Sequence, residues 1–407
     1  MIPLVRQPMI NAKGVNPKAK YYIGLMSGTS ADGIDLALVD FNHSNKTTSP
    51  KLVGSYYHAY SDDTIEKITT LYSPNTNEID RAFELDTELA HWFNQAITAL
   101  LAQHHLKPED IIAIGSHGQT IRHRPLADYP FTLQIGCSQT LACLTGIRVI
   151  GQFRVKDIAL GGQGAPLVPA FHQQIFAEKE ADVFVVNIGG IANISFLPSQ
   201  TSTYPIIGFD TGPGNALLDD WFKKYHANSP THYDKNGTWA EQGKINQDLL
   251  KQLLSDDYFA LSSPKSTGRE YFNLAWLSQK LELYVTSINP SLSSLPAQNV
   301  QATLTTFTAI TIVNDIKKLS QHANIYLCGG GAHNQQLISE LKNQLTSDSH
   351  LYDFELLPTS AKDIDGDLLE AIAFAWLAYA FDHNIESNMP SVTGASRLCT
   401  LGIEFFP

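Results

Sequence analysis

The chain has 407 residues, and 28 Lys and Arg against 40 Asp and Glu give a formal net charge of −12. An acidic surface repels phosphate backbones and anionic lipid, which argues against a general role on nucleic acid or at a membrane surface. Apolar residues make up 43% of the chain and charged residues 17%, so a folded core is expected rather than disorder. A chain of this length usually divides its core, which predicts two domains.

The N-terminal segment and the cysteines bear on the cellular compartment. Residues 1–20 are basic, contain three prolines and lack a continuous apolar stretch, so we interpret them as a flexible extension rather than a signal peptide. No stretch reaches the roughly 20 apolar residues of a membrane-spanning helix. The spacing of the four cysteines matches neither a disulfide framework nor a CxxC pair. We therefore expect a cytoplasmic protein with reduced thiols.

Taken in chain order, the pattern of apolar residues predicts a strand, a glycine turn and a returning strand, twice over. The first half has predicted strands at 21–26, 34–41, 52–60, 111–115, 131–135 and 148–150, with a helix over 78–105. The second half restarts with strands at 182–188, 192–197 and 206–209, and a later strand at 324–328 precedes a helix over 368–381. This repetition predicts an α/β fold built from a duplicated unit around a shared cleft.

The first glycine turn has the composition of a phosphate loop. It reads Ser-Gly-Thr-Ser-Ala-Asp-Gly from Ser27 to Gly33. Glycine lets backbone N–H groups turn toward a phosphate, the hydroxyls of Thr29 and Ser30 add donors, and a carboxylate can hold magnesium. The turn is not a Walker A loop, because no Gly-Lys-Ser/Thr opens a helix after it. An ordinary glycine-rich hairpin with a solvated aspartate is the alternative.

Two further glycine turns follow predicted strands in the second half. Asp210 ends a strand just before Gly212–Gly214, a position where α/β proteins place ligands and catalytic groups. A carboxylate there can polarise a hydroxyl or water or orient a metal; capping the next helix is the alternative. The run Gly329–Gly331 leaves room for a flat adenine or ribose, unless it serves only close packing of a helix on the sheet.

Polar loops at 115–124 and 159–169 have the composition of sugar-binding loops. His117 has no acid partner at a recognisable spacing and no serine in a nucleophile elbow, which argues against a hydrolase triad. No spacing of His, Cys or carboxylates resembles a zinc site. Glu370 opens an otherwise apolar helix, where surface solvation or a favourable helix-dipole position is the alternative to a functional role.

Eight segments in order resemble the anhydro-N-acetylmuramic acid kinase family, a branch of the superfamily of sugar kinases, heat-shock chaperones and actin. They lie between Tyr22 and Gly402 and read SGTSADGID, IGSHGQTIRHRP, GGQGAPLVPAFH, NIGGIANIS, GFDTGPGN, PKSTGREYFN, CGGGAHN and EAIAFAWLA. Each motif alone is weak, but eight in the expected order are highly specific.

The resemblance implies two RNase-H-like (actin-like ATPase) domains around an interdomain cleft. Domain I would cover 21–152 with about 385–407 and carry the phosphate hairpin, and domain II would cover 153–384 and carry the catalytic aspartate. The implied reaction converts 1,6-anhydro-N-acetylmuramic acid, ATP and water into N-acetylmuramic acid 6-phosphate and ADP, in cell-wall recycling. The implied partners are the sugar, ATP and Mg²⁺, without nucleic acid or membrane; a homodimer is compatible with the sequence.

The motifs also imply roles for individual residues. Asp210 would be the catalytic base, and metal contacts are implied for Asp32 and Asp210. Sugar contacts are implied for His117, Gln119 and Glu370. Contacts to the nucleotide are implied for Gly28, Thr29, Ser30, Ala31, Asp32, Gly33, Ile34, Asp35, Gly189, Gly190, Gly329, Gly330 and Gly331. Lys265–Arg269 match a family motif without an assigned chemical role.

Two positions depart from the family pattern. Gln152 stands where the family usually has the acid of Asp-Phe-Arg, and if that acid orients a sugar-binding arginine or a metal-bound water, affinity or rate is lowered here. Ala31 stands where a larger aliphatic residue is usual. Two other readings stay open: a glycosidase that opens the ring without ATP, and a non-enzymatic ATP-dependent sugar sensor of the same fold.

Overall fold

The computed structural model describes residues 20–28, 31–41, 50–263, 265–287, 295–347 and 351–407. The strands are β1 (Tyr21–Ser27), β2 (Gly33–Asp40), β3 (Lys51–Ala59), β4 (Ile111–Arg124), β5 (Phe131–Ile135), β6 (Val149–Gly151), β7 (Asp182–Ile188), β8 (Ile191–Leu197), β9 (Ile207–Pro213), β10 (His322–Cys328), β11 (Asp353–Pro358) and β12 (Ile403–Phe405). The helices are α1 (Asp62–Thr69), α2 (Glu78–Gln103), α3 (Ser138–Thr145), α4 (Phe153–Ala159), α5 (Val168–Phe176), α6 (Asn215–Tyr225), α7 (Thr238–Glu241), α8 (Gln247–Leu254), α9 (Leu274–Ser287), α10 (Ala297–Leu319), α11 (Gln335–Thr346), α12 (Leu369–Asp382) and α13 (Pro390–Thr393).

The chain divides into two compact units, Met1–Ile175 with Leu368–Pro407, and Phe176–Asp367. These boundaries differ from the predicted ones, because residues 153–175 and 368–384 complete the first unit. Asp382, at the end of α12, lies 2.5 Å from a guanidinium nitrogen of Arg148 and accepts the Tyr22 hydroxyl at 2.8 Å. The Phe153 and Phe374 rings lie 5.7 Å apart. Long-range packing of this kind leaves no local trace in the sequence.

Both units contain the same five-stranded arrangement. In the first unit the strands run in the order β3-β2-β1-β4-β6, and in the second in the order β9-β8-β7-β10-β11. In each, three strands form an antiparallel meander and two further strands run parallel to the first of them. This is the arrangement of an RNase-H-like fold, so the predicted fold class and duplication are confirmed.

Helix α12 packs closely on the first sheet because glycines face it. A Cβ on Gly24 of β1 would lie 1.7 Å from the carbonyl oxygen of Ala371, and one on Gly115 of β4 would lie 2.0 Å from that of Phe374. The helix is apolar on nearly all sides and most of its side chains are buried. Glycine on the strands therefore lets the helix backbone approach the sheet directly.

Strand β4 extends through residues that were predicted to form a polar loop. It runs to Arg124 because it pairs with β1 as far as Gln119 and with β5 from Gln119 onward. Its polar side chains Ser116, His117 and Gln119 are buried. The four cysteines are free thiols, as predicted. No helix in the described ranges is long and apolar enough to cross a bilayer.

Candidate active site

The hairpin between β1 and β2 is held by a buried hydrogen-bond network. Ser27 donates to Oε1 of Gln119 at 2.6 Å, and its hydroxyl lies 2.9 Å from the Tyr60 hydroxyl. The amide nitrogen of Gln119 donates to the Gly28 carbonyl at 3.0 Å and to the Tyr72 hydroxyl at 3.2 Å. Gln119 is fully buried. It therefore fixes the shape of the hairpin, and its contact with a sugar stays a prediction.

The tip of this hairpin is turned by a residue with left-handed backbone geometry. Ala31 has a φ of 54°, and its N–H donates to the Gly28 carbonyl at 3.1 Å. A small buried side chain suits this position, since left-handed geometry is more costly for branched residues. The side chain of Asp32 is exposed, while its carbonyl accepts the Tyr60 N–H at 2.9 Å. Thr29 and Ser30 lie outside the described residues.

The remaining predicted hairpin residues, Gly33 to Asp35, are the first residues of β2. Gly33 begins β2, where a Cβ would lie 2.5 Å from the His58 carbonyl oxygen. Ile34 is fully buried, so only its backbone can face a ligand. Asp35 is partly exposed and pairs in register with Met26 and Tyr57. The hairpin thus brings two carboxylates to a glycine-containing turn, and such carboxylates can lie near a phosphate only where a cation is bound between them.

His117 connects the hairpin to a buried arginine. Its Nδ1 lies 3.3 Å from the Ser27 carbonyl oxygen, and two guanidinium nitrogens of Arg154 lie 3.1 and 3.0 Å from its Nε2. Burial, together with the Arg154 charge, lowers the pKa of His117 to about 3. The ring is therefore neutral at pH 7, with Nδ1–H donating to Ser27 and Nε2 accepting from Arg154. A sugar contact through this ring stays a prediction.

Arg154 is the charged centre of this part of the first unit. It also donates to the Gly164 carbonyl at 2.8 Å, in the predicted sugar-binding loop. Burial lowers the pKa of Arg154 to about 10, and Glu370 and Asp157 act against that change. Burial raises the pKa of Glu370, while the charge of Arg154 lowers it. In the sequence, Arg154 stands out only through the family's Asp-Phe-Arg run, and its central position becomes visible only in the fold.

Gln152 lies beside this cluster. It precedes α4 with a φ of 53°, its side chain is exposed, and it makes no capping hydrogen bond to the helix. It lines a cavity of about 220 Å³ together with Ser116 and His117. An aspartate in this place would bring a negative charge to within two residues of Arg154. The kinetic consequence of the departure stays a prediction.

Asp210 is the middle residue of β9, so the prediction that it ends a strand is wrong: pairing with β8 carries the strand through Gly212 to Pro213. Asp210 is held by hydrogen bonds from an irregular segment, residues 265–268. Its carboxylate Oδ2 accepts the Ser266 hydroxyl at 2.9 Å and the Thr267 N–H at 3.0 Å. Its own N–H donates to the Lys265 carbonyl at 3.0 Å, and its carbonyl accepts the Tyr258 hydroxyl at 2.6 Å. Burial raises the pKa of Asp210, and the two hydrogen bonds to the carboxylate act against that rise.

The alternative role of Asp210 as a helix cap does not fit this geometry. The residue before α6 is Gly214, and no side chain caps that helix. The carboxylate is instead hydrogen-bonded by residues 266 and 267. A half-buried carboxylate fixed on one oxygen can act as a base through the other.

The glycine turns of the second unit meet at the start of α6. The N–H of Asn215 donates to the Gly189 carbonyl at 2.8 Å, and the N–H of Gly214 donates to the Gly190 carbonyl at 3.0 Å. Gly329 has a φ of 78°, and a Cβ on Gly331 would lie 2.3 Å from a side-chain carbon of Ile188. Glycine is therefore required at position 329 for its backbone conformation and at position 331 because a larger residue would not fit.

A cavity of about 350 Å³ opens beside these turns. It is within the size range of small-molecule sites. Its lining combines polar side chains with the apolar surface of Leu218 and Tyr233, and the other lining residues are Gly330, Asn215, Asp219, Asp234, Lys235, Asn236, His333 and Asn334. Burial raises the pKa of Asp219 to about 7. Gly330 was predicted to lie near a nucleoside, but the lining from α6 was missed, because helix residues facing a cavity look like ordinary surface residues.

The described residues contain no cluster of three or more His, Cys, Asp or Glu side chains suited to a metal ion. Magnesium does not need one, because it usually takes one or two carboxylates together with substrate phosphates and water. The exposed side chain of Asp32 at the hairpin tip fits that chemistry. Asp210, the other predicted ligand, has Oδ2 engaged by Ser266 and Thr267, which leaves Oδ1 for such a contact.

Comparison with known proteins identifies the family. The family model described as anhydro-N-acetylmuramic acid kinase matches residues 20–407. A curated relative of that name from Colwellia psychrerythraea is 60% identical over 401 residues, covering 98% of this chain and 100% of that protein. One from Shewanella baltica is 47% identical over 388 residues, covering 95% and 99%. Among solved structures, the activator of the 2-hydroxyisocaproyl-CoA dehydratase from Clostridium difficile is 12% identical with a TM-score of 0.44, covering 89% and 95%. From the family model and the curated relatives, the chain belongs to the anhydro-N-acetylmuramic acid kinase family.

Proposed function

We propose that this protein is an ATP-dependent kinase that opens the 1,6-anhydro ring of anhydro-N-acetylmuramic acid and phosphorylates O6. The products are N-acetylmuramic acid 6-phosphate and ADP. The observation that carries the proposal is the Asp210 carboxylate, which is half-buried in the middle of β9 and held on Oδ2 by Ser266 and Thr267. Both hydrogen bonds that the carboxylate accepts from described residues end on Oδ2, which leaves Oδ1 available to a water.

The chemistry of the substrate explains why this kinase would need a base that activates water. In the anhydro sugar O6 is bonded to C1, so there is no 6-hydroxyl to phosphorylate. Asp210 takes a proton from a water, the water oxygen bonds to C1, and the C1–O6 bond breaks, as in an inverting glycosidase. The departing O6 then bonds to the γ-phosphorus of ATP, and ADP leaves. This phosphoryl transfer depends mainly on alignment of O6 with the γ-phosphorus and on neutralisation of the phosphate charge.

The β1–β2 hairpin is the proposed site for the ATP phosphates. Gln119 and Ser27 bind the carbonyls of Gly28 and Gly33 on either side of the turn, so this part of the backbone is organised before a nucleotide arrives. Asp32 would hold magnesium at the phosphates, and when bound the ion neutralises their charge. The cavity beside Gly330 is the proposed nucleoside site, because it is of suitable size and combines apolar surface with a few polar groups.

The Arg154 cluster is the proposed site for the sugar. Muramic acid carries a carboxylate on its lactyl group, and a guanidinium fork suits a carboxylate. Arg154 is held by His117 and the Gly164 carbonyl, which orients the fork before the sugar binds. Glu370 shares this electrostatic environment and would accept a hydrogen bond from a sugar hydroxyl. We place the reaction in the cytoplasm, where ATP is available and the four thiols stay reduced.

The experiment is to incubate the protein with ATP, magnesium and anhydro-N-acetylmuramic acid and to measure the mass of the sugar product. We expect the gain of one phosphoryl group and one water, with one ADP formed per sugar. A gain of water alone would mean a glycosidase. An unchanged sugar, with ATP still bound, would favour the non-enzymatic sensor.

A further inference from the structure

The position of Asp210 depends on a segment that has no regular secondary structure. Residues 265–268 are neither helix nor strand. Yet this segment supplies the Lys265 carbonyl, the Ser266 hydroxyl and the Thr267 N–H that bind Asp210. No sheet or helix ladder fixes these groups, so another interaction has to hold the segment in place.

The side chain of Lys265 anchors the segment in the interior of the second unit. Its Nζ lies 3.0 Å from Oδ2 of Asp315 on α10, and the two side chains are only 3% and 6% exposed. Nζ also lies 4.9 Å from the centroid of the Tyr258 ring. A buried lysine and aspartate are each costly without a partner, so the pair restricts where the segment can lie.

Tyr258 links the anchor to the other side of Asp210. Its ring contacts the Lys265 ammonium group, and its hydroxyl donates to the Asp210 carbonyl at 2.6 Å. The backbone of Asp210 is therefore held by Tyr258 and by the Lys265 carbonyl, and its carboxylate by the two residues that follow Lys265. Each of these groups that bind Asp210 thus belongs to Lys265, to one of the two residues after it, or to Tyr258, whose ring contacts the Lys265 ammonium group.

The second ion pair of Asp315 provides a contrast. Nζ of Lys318 lies 2.8 Å from Oδ1 of Asp315, but its side chain is 55% exposed and lies on α10 itself. An ion pair within one helix whose lysine is exposed contributes little to stability, and Lys318 has no ion pair with residues 265–268. Lys318 is thus a matched control: it has the same charge and the same acidic partner, but no connection to Asp210.

We propose that the Lys265–Asp315 ion pair is a positioning device that sets the place of the Asp210 carboxylate relative to the reacting water. It gives a role to the Lys265–Arg269 motif, for which the sequence offered none. The inference rests on the proposed role of Asp210 as the base. Lys265 acts through Asp210 and does not itself need to touch a substrate.

The test replaces the pair by apolar residues of similar size in the double variant Lys265→Met/Asp315→Leu. An apolar replacement of a buried pair often keeps the fold, and thermal unfolding would verify it. Since misplacement by about 1 Å can cost about 100-fold in rate, we expect kcat to fall roughly 10- to 100-fold. The KM values for ATP and sugar should stay within about twofold, because ground-state binding is not touched. Lys318→Met should retain the wild-type kcat.

Two further variants separate positioning from a merely structural role. Lys265→Arg keeps the cation and should recover much of the lost kcat. Ser266→Ala removes one hydrogen bond to Asp210, and combining it with Lys265→Met should cost less than the product of the single losses, because both act on the same carboxylate. Losses that multiply, or a stable double variant with the wild-type kcat, would overturn the proposal.

The outcomes also distinguish this proposal from the proposed function. A wild-type protein that forms no phosphorylated sugar refutes the kinase activity, whatever the Lys265 variants do. A normal kcat in Asp210→Asn refutes the base. The third outcome is an active wild-type protein, an inactive Asp210→Asn variant and a folded Lys265→Met/Asp315→Leu variant with normal kcat. It would refute the positioning role and leave the other two assignments in place.

Discussion

The guanidinium of Arg154 donates to Nε2 of His117 over 3.0 Å, and this bond needs an unprotonated ring nitrogen. The same ring lies 3.3 Å from the Ser27 carbonyl through Nδ1. Burial lowers the pKa of His117 to about 3, which keeps the ring neutral at physiological pH. One buried histidine therefore couples the proposed sugar-binding arginine to the proposed phosphate hairpin within the first unit.

Arg154→Lys should weaken sugar binding although it keeps the charge. A lysine cannot donate at once to His117 and to the Gly164 carbonyl in the geometry of the guanidinium fork. Hydrogen bonds to charged groups contribute about 1.5–3 kcal/mol, so we expect the KM for the sugar to rise by about tenfold or more. The KM for ATP should change little, and both are obtained from steady-state ADP release. Arg124→Lys, at an exposed position, is the control; an equal effect in both variants would refute the role of Arg154.

Asp210→Asn should abolish turnover and spare ATP binding. The amide oxygen can still accept from Ser266 and Thr267, so the local fold is kept, but an amide cannot take a proton from water. Loss of a general base costs roughly 10²- to 10⁴-fold in kcat. Product formation and calorimetric titration with ATP measure the two properties separately. Near-normal turnover would eliminate Asp210 as the base.

Gly24→Ala should destabilise the first unit strongly. The new methyl group would lie 1.7 Å from the Ala371 carbonyl oxygen, and the backbone of α12 cannot move without opening the sheet contact. We expect a loss of about 3 kcal/mol or more in the free energy of unfolding. Gly146→Ala is the control, because Gly146 has a φ of 68° but open space around it, and should lose only about 1 kcal/mol. Urea unfolding measures both; equal losses would argue against the close helix–sheet approach.

His172 should make the protein less stable in acid. Burial lowers the pKa of His172 from 6.5 to about 3, so between these values the unfolded chain binds a proton that the folded chain does not. Its stabilising contribution is full above pH 6.5 and is lost as the pH falls toward 3. The expected slope is about 1.4 kcal/mol per pH unit.

His172→Gln should reduce that slope by about one proton, as measured by urea unfolding at several values between about pH 6 and pH 4. His91→Gln, which removes an exposed histidine, is the matched control. An unchanged slope in His172→Gln would show that His172 is not the group responsible.

Asp210 was predicted to end a strand but lies in the middle of β9, because pairing with β8 continues as far as Pro213. The repeated strand–turn–strand pattern and the other glycine turns, in contrast, could be predicted from the amino-acid sequence. These features are local, because strand alternation and glycine turns depend on neighbouring residues and are readable in one dimension. The order of the eight motifs indicated the family for the same reason, since each motif is a short continuous run. The reduced cysteines followed from their spacing in the same way.

The residues that complete each unit, and the polar groups that hold the site, depend instead on tertiary packing. Residues 153–175 and 368–384 join the first unit through contacts such as Arg148 with Asp382, 234 positions apart. Gln119 has the sequence context of a loop residue facing a ligand, but it is buried within β4. The partner of Lys265 is Asp315, fifty positions further along the chain. Burial and pairing at such separations depend on how distant segments pack, and no local pattern of residues encodes them.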